Sequence, residues 1–327
     1  MKLTRLTNYF ILLTISSLAL LSGCKEKNAD YPPRVWSEYS YTSSTISYRD
    51  ILSILYENDH SIWFGAKGNE GLLYNDGYKW NVFDNKNTGI DFDSITSIAR
   101  DGNGKLWVGW RKGLASFDGV DWKKITLFDG LCVTSVVVEG IGNLKVGIKG
   151  VDGGLAIFMD NEWTFYNSSN SDIPSENTNS IVSDQDQVLW TATADNGICK
   201  LKNTVWEHVS KDIPLLSQDF KCIAAAVDGS IWAGSAKSQL IHFFDDTYTV
   251  FNAGASKPIN SVLVTANNSV WCATSGAGLL KFDGTSWGSF TMENASLPSN
   301  DILCMASAGL ENLFFAVPGG KVLIIKQ

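Results

Sequence analysis

The chain has 327 residues, with 26 Lys and Arg against 34 Asp and Glu, and its formal net charge is -8. This acidic balance, with no basic stretch, excludes a groove that follows a phosphate backbone, so nucleic acid is not expected as a partner. Charged residues make up 18% of the chain and hydrophobic residues 44%, which excludes a disordered protein.

The N-terminus has the pattern of an export signal. Lys2 and Arg5 precede an apolar run over residues 10–21. This run is shorter than the ~20 residues that a bilayer-spanning helix needs, and it fits the core of a secretory signal. We predict a signal peptide over residues 1–23.

The signal ends in Leu21-Ser22-Gly23-Cys24, which resembles the lipobox of bacterial lipoproteins. The resemblance implies cleavage before Cys24 and acylation of its thiol, for example with palmitate. An ordinary signal peptide with a chance cysteine is the alternative. We expect residues 24–33 to be the lipidated cysteine and a flexible tether. The protein would then be bound to a membrane of the cell envelope, the outer membrane in our expectation, with the periplasmic or surface face left open.

The tryptophans beyond the tether follow an internal repeat, which is the first feature to seek in such a chain. One series lies in segments such as Leu106-Trp107-Val108-Gly109, and the second series follows Asp-Gly-type turns. Members of each series are 38 to 45 residues apart, and only Trp110 of the 12 tryptophans belongs to neither. The first series is Trp63, Trp107, Lys145, Trp190, Trp232, Trp271 and Phe314, and the second is Trp36, Trp80, Trp122, Trp163, Trp206, Tyr248 and Trp287.

Small residues recur at two further offsets. Ten residues before each member of the first series stands Ser or Cys, and two residues after it stands Gly or Ala. A small residue at a fixed strand position lets neighbouring backbones approach closely. The earlier position is Ser53, Ser97, Ser135, Ser180, Cys222, Ser261 and Cys304.

Each unit is predicted to form four short strands. In the second unit we expect them at residues 95–100, 105–110, 114–117 and 122–126. Seven such units predict an all-β fold, a seven-bladed β-propeller of four-stranded blades over residues 34–327. The last unit, residues 301–327, has only three strands, while the segment around Trp36 is an unassigned strand. We therefore predict that the N-terminal strand completes the last blade and closes the ring, which leaves no free sheet edge there.

The second unit carries a family resemblance. Its segment from Asp101 to Gly109, followed by Gly113-Leu114, by Phe117-Asp118-Gly119 and by Trp122, resembles the two-component regulator propeller repeat. The resemblance extends from about Trp36 to the end of the chain. It implies a propeller with a ligand-binding habit, because well-studied members form periplasmic sensor domains of hybrid histidine kinases that detect glycans. The sequence shows one ring and no kinase or regulator segment, so the resemblance does not imply signalling by this chain itself.

Residues for catalysis are sparse. The histidines, His60, His208 and His242, occupy non-equivalent offsets of the repeat, so we expect no metal or acid–base centre and no cofactor. This counts against an enzyme resembling streptogramin lyase. We predict the five cysteines after Cys24 to be buried free thiols rather than a disulfide framework. The segment Asp101-Gly102-Asn103-Gly104 is predicted to be a hairpin turn rather than a calcium loop.

One face of the disc is the candidate ligand site. The connections that enter a blade and those between its second and third strands lie on this face, where long loops do not disturb the sheets. Trp110 adjoins two cations there and could support a sugar ring or an anionic group, or it could wedge between sheets. The candidate residues are Trp110, Arg111, Lys112, Lys67, Lys149, Lys237, Lys321 and Asp195, with Glu70 and Asp152 as further acids.

Three functions follow from these residues. The first is a non-catalytic, lipid-anchored propeller that binds a glycan or glycan fragment at the envelope. The second is a scaffold that uses the same face against another envelope protein. The third is a propeller lyase.

Overall fold

The protein is described by a computed structural model that covers residues 37–39, 50–58, 61–252, 257–308 and 312–326. Cys24, Trp36 and His60 lie outside the described residues, as do the predicted signal peptide and tether. The strands are β1 (Ser37–Tyr39), β2 (Ile51–Asn58), β3 (Ser61–Ala66), β4 (Leu72–Asn75), β5 (Trp80–Phe83), β6 (Ile95–Arg100), β7 (Leu106–Trp110), β8 (Gly113–Phe117), β9 (Trp122–Lys124), β10 (Cys132–Glu139), β11 (Asn143–Lys149), β12 (Gly154–Met159), β13 (Glu162–Tyr166), β14 (Thr178–Ser183), β15 (Leu189–Thr193), β16 (Ile198–Lys202), β17 (Val205–Glu207), β18 (Phe220–Ala225), β19 (Ile231–Ser235), β20 (Gln239–Phe244), β21 (Thr247–Asn252), β22 (Ile259–Val264), β23 (Val270–Thr274), β24 (Leu279–Phe282), β25 (Trp287–Phe290), β26 (Cys304–Ala308), β27 (Asn312–Val317) and β28 (Lys321–Lys326).

These strands form seven four-stranded antiparallel sheets, and six of them take their strands in consecutive chain order. The described helices are short: α1 (Asn85–Thr88), α2 (Met292–Ala295) and a 3-10 turn at Thr126–Phe128. In the second blade the outer strand ends at Lys124, two residues before the predicted end, because the chain turns into that 3-10 helix. No helix in the described ranges is long and apolar enough to cross a membrane.

The first strands of the blades form the inner ring of the disc. Each of β2, β6, β10, β14, β18, β22 and β26 contacts the first strands of both neighbouring blades, and β26 contacts β2. The contacts therefore close on themselves around a central axis. The predicted seven-bladed propeller is confirmed.

The N-terminal strand closes the ring, as the sequence predicts. β1 pairs antiparallel with β28, with Ser37 opposite Ile324 and Tyr39 opposite Val322. The Tyr39 ring then lies between the last blade and the first, 5.8 Å from the Phe314 ring and 5.9 Å from the Phe64 ring. The first and last described strands are thus joined through backbone pairing and through aromatic packing.

The repeated small residues join neighbouring inner strands. Ser53 Oγ donates to the Ile95 carbonyl at 3.0 Å, and Ser97 Oγ accepts from the Val136 amide at 2.9 Å. The later position is equally tight, since a Cβ atom on Gly147 would lie 2.9 Å from Thr178 of the next blade. Both positions are small because a larger side chain would push adjacent blades apart.

The blade tryptophans belong to the core, as expected. Trp63, Trp107, Trp232 and Trp271 are buried, and each packs in a cluster between two adjacent sheets. The indole nitrogen also needs an acceptor when it is buried. In blade 2 that acceptor is Asp101, whose Oδ2 takes the Trp107 Nε1 proton at 3.2 Å.

Candidate functional site

The top face is defined here as the face that carries the blade-to-blade connections and the turns between second and third strands. These two sets of segments are hydrogen-bonded to each other near the axis. The Lys67 amide donates to the Asp50 carbonyl, and the Arg111 amide donates to the Asp93 carbonyl. The predicted clustering of both connection types on one face is therefore present.

Trp110 is not part of that surface, and of the two alternatives that the sequence left open it takes the wedge between sheets. Its side chain is 1% exposed and packs edge-on against Phe92, with ring centroids 5.3 Å apart. A Cβ atom on Gly113 would lie 2.5 Å from the indole, so the following turn also closes over the ring. Trp110 is a wedge between blades 1 and 2, because Phe92 of the entering connection covers the ring.

The basic candidates on the top face are largely matched by acids. Lys67 pairs with Asp50 at 3.2 Å, and Lys112 pairs with Asp93 at 3.3 Å. Lys321 lies 3.7 Å from Glu38 and links β28 to β1. These acids precede the inner strands or belong to β1, so an inventory of the inner turns alone misses them. Three of the six cations named from the sequence therefore have an acidic partner.

The remaining top-face candidates divide into structural and exposed groups. Asp195 accepts from Asn177 Nδ2 at 2.8 Å and from Ser175 Oγ, so it fixes the connection that enters blade 4. Arg111 and Lys237 are both exposed, and neither forms an ion pair within the described ranges. Among the described residues, both cations are therefore available to a ligand.

A polar network near the axis joins blades 3, 4 and 5. Lys149 Nζ donates to Asn179 Oδ1 at 2.9 Å. Asn179 Nδ2 donates to the Phe220 carbonyl at 2.7 Å and lies 3.3 Å from Asp219 Oδ1. Lys221 Nζ donates to Asp219 Oδ2 at 2.7 Å. We call Lys149, Asn179, Asp219 and Lys221 the axial network.

Asn179 and Lys221 stand at a bulge that recurs in the inner strands. The pairing register shifts at the residue just before the small repeat position, and such bulges re-aim a side chain. At this position Thr96 and Thr134 also donate to carbonyls of the next blade, at 2.6 and 2.9 Å. The sequence analysis missed these residues, although each immediately precedes the repeated Ser or Cys and could have been found from that offset.

Cys132 lies beside this network and does not have the properties of a reactive thiol. It is half-buried, and burial raises its pKa, while Arg111 and Lys149 act in the opposite direction. Burial also raises the pKa of Cys199, Cys222 and Cys304 to about 12. All five cysteines after Cys24 are free thiols, as predicted; four are buried, whereas the predicted burial is wrong for the half-buried Cys132.

The described histidines lie in different blades. His208 follows β17, and His242 belongs to β20, where its ring stacks on Trp232 at 4.0 Å. Burial lowers the pKa of both. The described ranges contain no cluster of three or more His, Cys, Asp or Glu able to hold a metal ion.

The predicted hairpin at Asp101 is confirmed. Asp101 Oδ1 accepts from the amides of Asn103 and Lys105, both at 3.0 Å, and Oδ2 accepts from Trp107. Both carboxylate oxygens are therefore occupied by donors from the turn and the blade.

A family model described as "Two component regulator propeller" matches residues 89–109. This segment runs through the inner strand of blade 2, its Asp101 hairpin and most of β7. The chain carries a two-component regulator propeller repeat. The match falls on the unit from which the sequence resemblance was drawn. No curated protein matches the chain by sequence.

Solved structures are similar to the chain in fold at low sequence identity. An extracellular domain assigned to a hybrid two component system of B. thetaiotaomicron is 20% identical with a TM-score of 0.74, over 90% of this chain and 42% of that one. Virginiamycin B lyase from Staphylococcus aureus, solved in a catalytically inactive form with quinupristin, is 12% identical with a TM-score of 0.75, over 90% and 99%.

PorZ, an essential surface component of the type-IX secretion system of Porphyromonas gingivalis, is 15% identical with a TM-score of 0.67, over 85% of this chain and 46% of that one. The chain spans about two fifths of the length of the B. thetaiotaomicron extracellular domains, 39% and 42% in two of them. At these identities the likeness shows the fold alone.

Proposed function

We propose that the protein is a non-catalytic ligand-binding module of the cell envelope that takes a glycan or glycan fragment on its top face. The axial network carries this proposal. Its ammonium, amide and carboxylate groups converge from three blades, and sugar hydroxyls both donate and accept hydrogen bonds. The extracellular origin of the similar B. thetaiotaomicron domains supports an envelope location.

Arg111 extends the network towards an anionic group. It is exposed and close enough to Cys132 to influence the thiol's pKa, as Lys149 also does. Lys149 is paired with Cys132 across the two inner strands of blade 3, and Arg111 directly follows β7 of the adjacent blade. Because the guanidinium group binds carboxylates bidentately, a glycan with an acidic sugar would fit this edge best.

Glycan-array screening followed by calorimetry tests the proposal. The double variant Arg111→Ala/Lys221→Ala should bind any captured glycan at least tenfold more weakly than the unmodified protein, with an unchanged melting temperature. Lys202→Ala, on an outer edge away from the top face, is the matched control and should bind normally. Equal affinity in the double variant would refute a glycan site at the axial network.

Lipid anchoring at Cys24 is a separate part of the proposal and rests on the lipobox resemblance. Cells expressing the full chain should incorporate a radiolabelled fatty acid into the protein and retain it in the outer-membrane fraction. Cys24→Ser should lose the label and appear in the soluble fraction. A labelled Cys24→Ser protein would contradict acylation at this thiol.

An envelope scaffold is the second candidate, and the likeness to PorZ favours keeping it. In that case, top-face variants would fail to capture a protein partner in pull-down from membranes. Neither these variants nor the unmodified protein would bind a glycan.

A lyase is the third candidate because the likeness to virginiamycin B lyase spans 99% of that chain. Incubation with quinupristin tests it, since unchanged quinupristin is the result expected of a non-catalytic propeller.

A further inference from the structure

A groove of about 710 Å³ lies between blades 2 and 3, away from the axial network. Its lining includes Trp107 and Ser116 of blade 2, and Phe158 and Trp163 of blade 3. A volume of this size falls within the roughly 300–1,000 Å³ that ligand sites usually occupy.

Ser116 explains why the groove is open in this blade. In four other blades, the first-series tryptophan is covered by the third-strand residue that is paired with it. Tyr74 stacks on Trp63 at 4.1 Å, and His242 stacks on Trp232 at 4.0 Å. Lys200 and Lys281 cover their tryptophans with an ammonium group, at 5.5 and 5.1 Å. Opposite Trp107 stands Ser116, whose short side chain cannot reach across the indole, and the ammonium group over this ring is instead that of Lys105, 5.6 Å from the ring centroid.

Apolar side chains stand exposed on the lining of the groove. Ile141, in the hairpin of blade 3, is 69% exposed, and Leu127, in the 3-10 turn after β9, is 58% exposed. Branched aliphatic side chains offer no flat face for a sugar ring. Exposed apolar groups around a groove are instead typical of surfaces that bind proteins.

The charges of the groove favour an acidic partner. Lys105 and Lys123 line it and form no ion pair in the described part of the chain, while Lys124 is paired with Asp129 at 2.8 Å. The Asp101 carboxylate is already occupied by its own turn and by Trp107. Asp160 also lines the groove and is exposed. Lys105, Lys123 and Lys124 therefore stand against Asp101 and Asp160, which leaves the lining with one more positive than negative charge.

We propose that this groove binds a peptide segment of a partner protein in which an apolar side chain stands next to Asp or Glu. The apolar side chain packs against Trp163 and Ile141, and the carboxylate pairs with Lys105 or Lys123. This site is distinct from the axial network and does not depend on the proposed glycan function.

The variant Ser116→Tyr tests the groove, because it places in blade 2 the type of side chain that covers Trp63 in blade 1. The unmodified protein is used to select from a random-peptide display library, and the selected peptides are measured by fluorescence anisotropy. We expect peptides that combine Asp or Glu with Leu, Ile or an aromatic residue. They should bind Ser116→Tyr at least tenfold more weakly, and Lys123→Glu similarly, with weaker binding at high salt.

Control variants separate the outcomes. Ser116→Ala leaves the groove open and should bind as the unmodified protein does, and Ser116→Tyr should melt at or above its temperature. Failure to enrich any peptide, or equal binding to Ser116→Tyr, would overturn the proposal. A glycan that binds the unmodified protein and not Ser116→Tyr would also overturn it by assigning the groove to sugars. Loss of glycan binding in Arg111→Ala/Lys221→Ala alone would bear only on the axial network.

Discussion

Lys145 Nζ lies 2.6 Å from Glu139 Oε1 in blade 3. At the same repeat positions of blade 2, the Trp107 indole donates to Asp101. Blades 1 and 4 repeat the arrangement with Trp63 on Glu57, at 3.2 Å, and Trp190 on Asp184, at 2.8 Å. The acid at the end of the inner strand therefore holds whichever donor occupies the repeat position. A lysine replaces tryptophan in blade 3 without leaving either group unpaired.

Lys145→Met should destabilise the protein by about 3 kcal/mol, because Glu139, largely buried, would lose its cation. Urea denaturation measures the change in the free energy of unfolding. Adding Glu139→Ala to Lys145→Met should recover most of the loss. If the double variant is as unstable as the single one, the two side chains are not coupled as described.

Thr265→Asp should stabilise the protein by roughly 1 kcal/mol. Trp271 is fully buried and its Nε1 has no hydrogen-bond partner among the described residues, while Thr265 occupies the position of Asp101 in its blade. An aspartate there could accept the indole proton as Asp101 does. The gain should vanish in a Trp271→Phe background, and a gain that persists there would show another cause.

Trp110→Ala should lower the free energy of unfolding by about 3–5 kcal/mol, because it opens a cavity beside Phe92 in the core. The sequence alone left a surface role open, for which folding would be largely unaffected. Arg111→Ala is the neighbouring control and should melt normally, since its side chain is exposed. An unchanged melting temperature for Trp110→Ala would contradict the buried position.

Stability should fall as the pH drops from about 7.5 to about 5.5. Burial lowers the pKa of His242 and His208 below 6.5, so the folded state takes up a proton less readily than the unfolded chain. Their contribution is fully present above pH 6.5 and is lost below it. His242→Phe should flatten the pH dependence of the melting temperature, which differential scanning fluorimetry can follow. An unaltered slope in this variant would show that the pH dependence comes from other groups.

The repeat predicts the fold well because each blade uses the same close contacts. Small residues such as Ser97 must meet the next inner strand, and the first-series residues must lie between sheets, so both leave a periodic trace in the sequence. The unassigned strand near Tyr39 likewise follows from counting strands in the last unit.

The site is harder to predict, because it depends on residues that differ between blades. The burial of Trp110 is decided by Phe92, which belongs to a connection outside the repeat. Asp50 and Asp93 neutralise lysines from other segments, and only packing shows which acid meets which base. The groove is open because blade 2 has Ser116 where other blades have a longer side chain. This difference is recognised only when the strand register places Ser116 opposite Trp107.

Ring closure is the claim on which both proposed sites rest, and removal of the first strand tests it most directly. Deleting residues 34–39 from the full chain, with the signal and tether retained, exposes the edge of β28 and removes Tyr39 from between Phe314 and Phe64. The melting temperature should fall sharply, and the protein should self-associate through the free edge in sedimentation measurements. A monomer that melts at the temperature of the intact protein would contradict a disc sealed by its first strand.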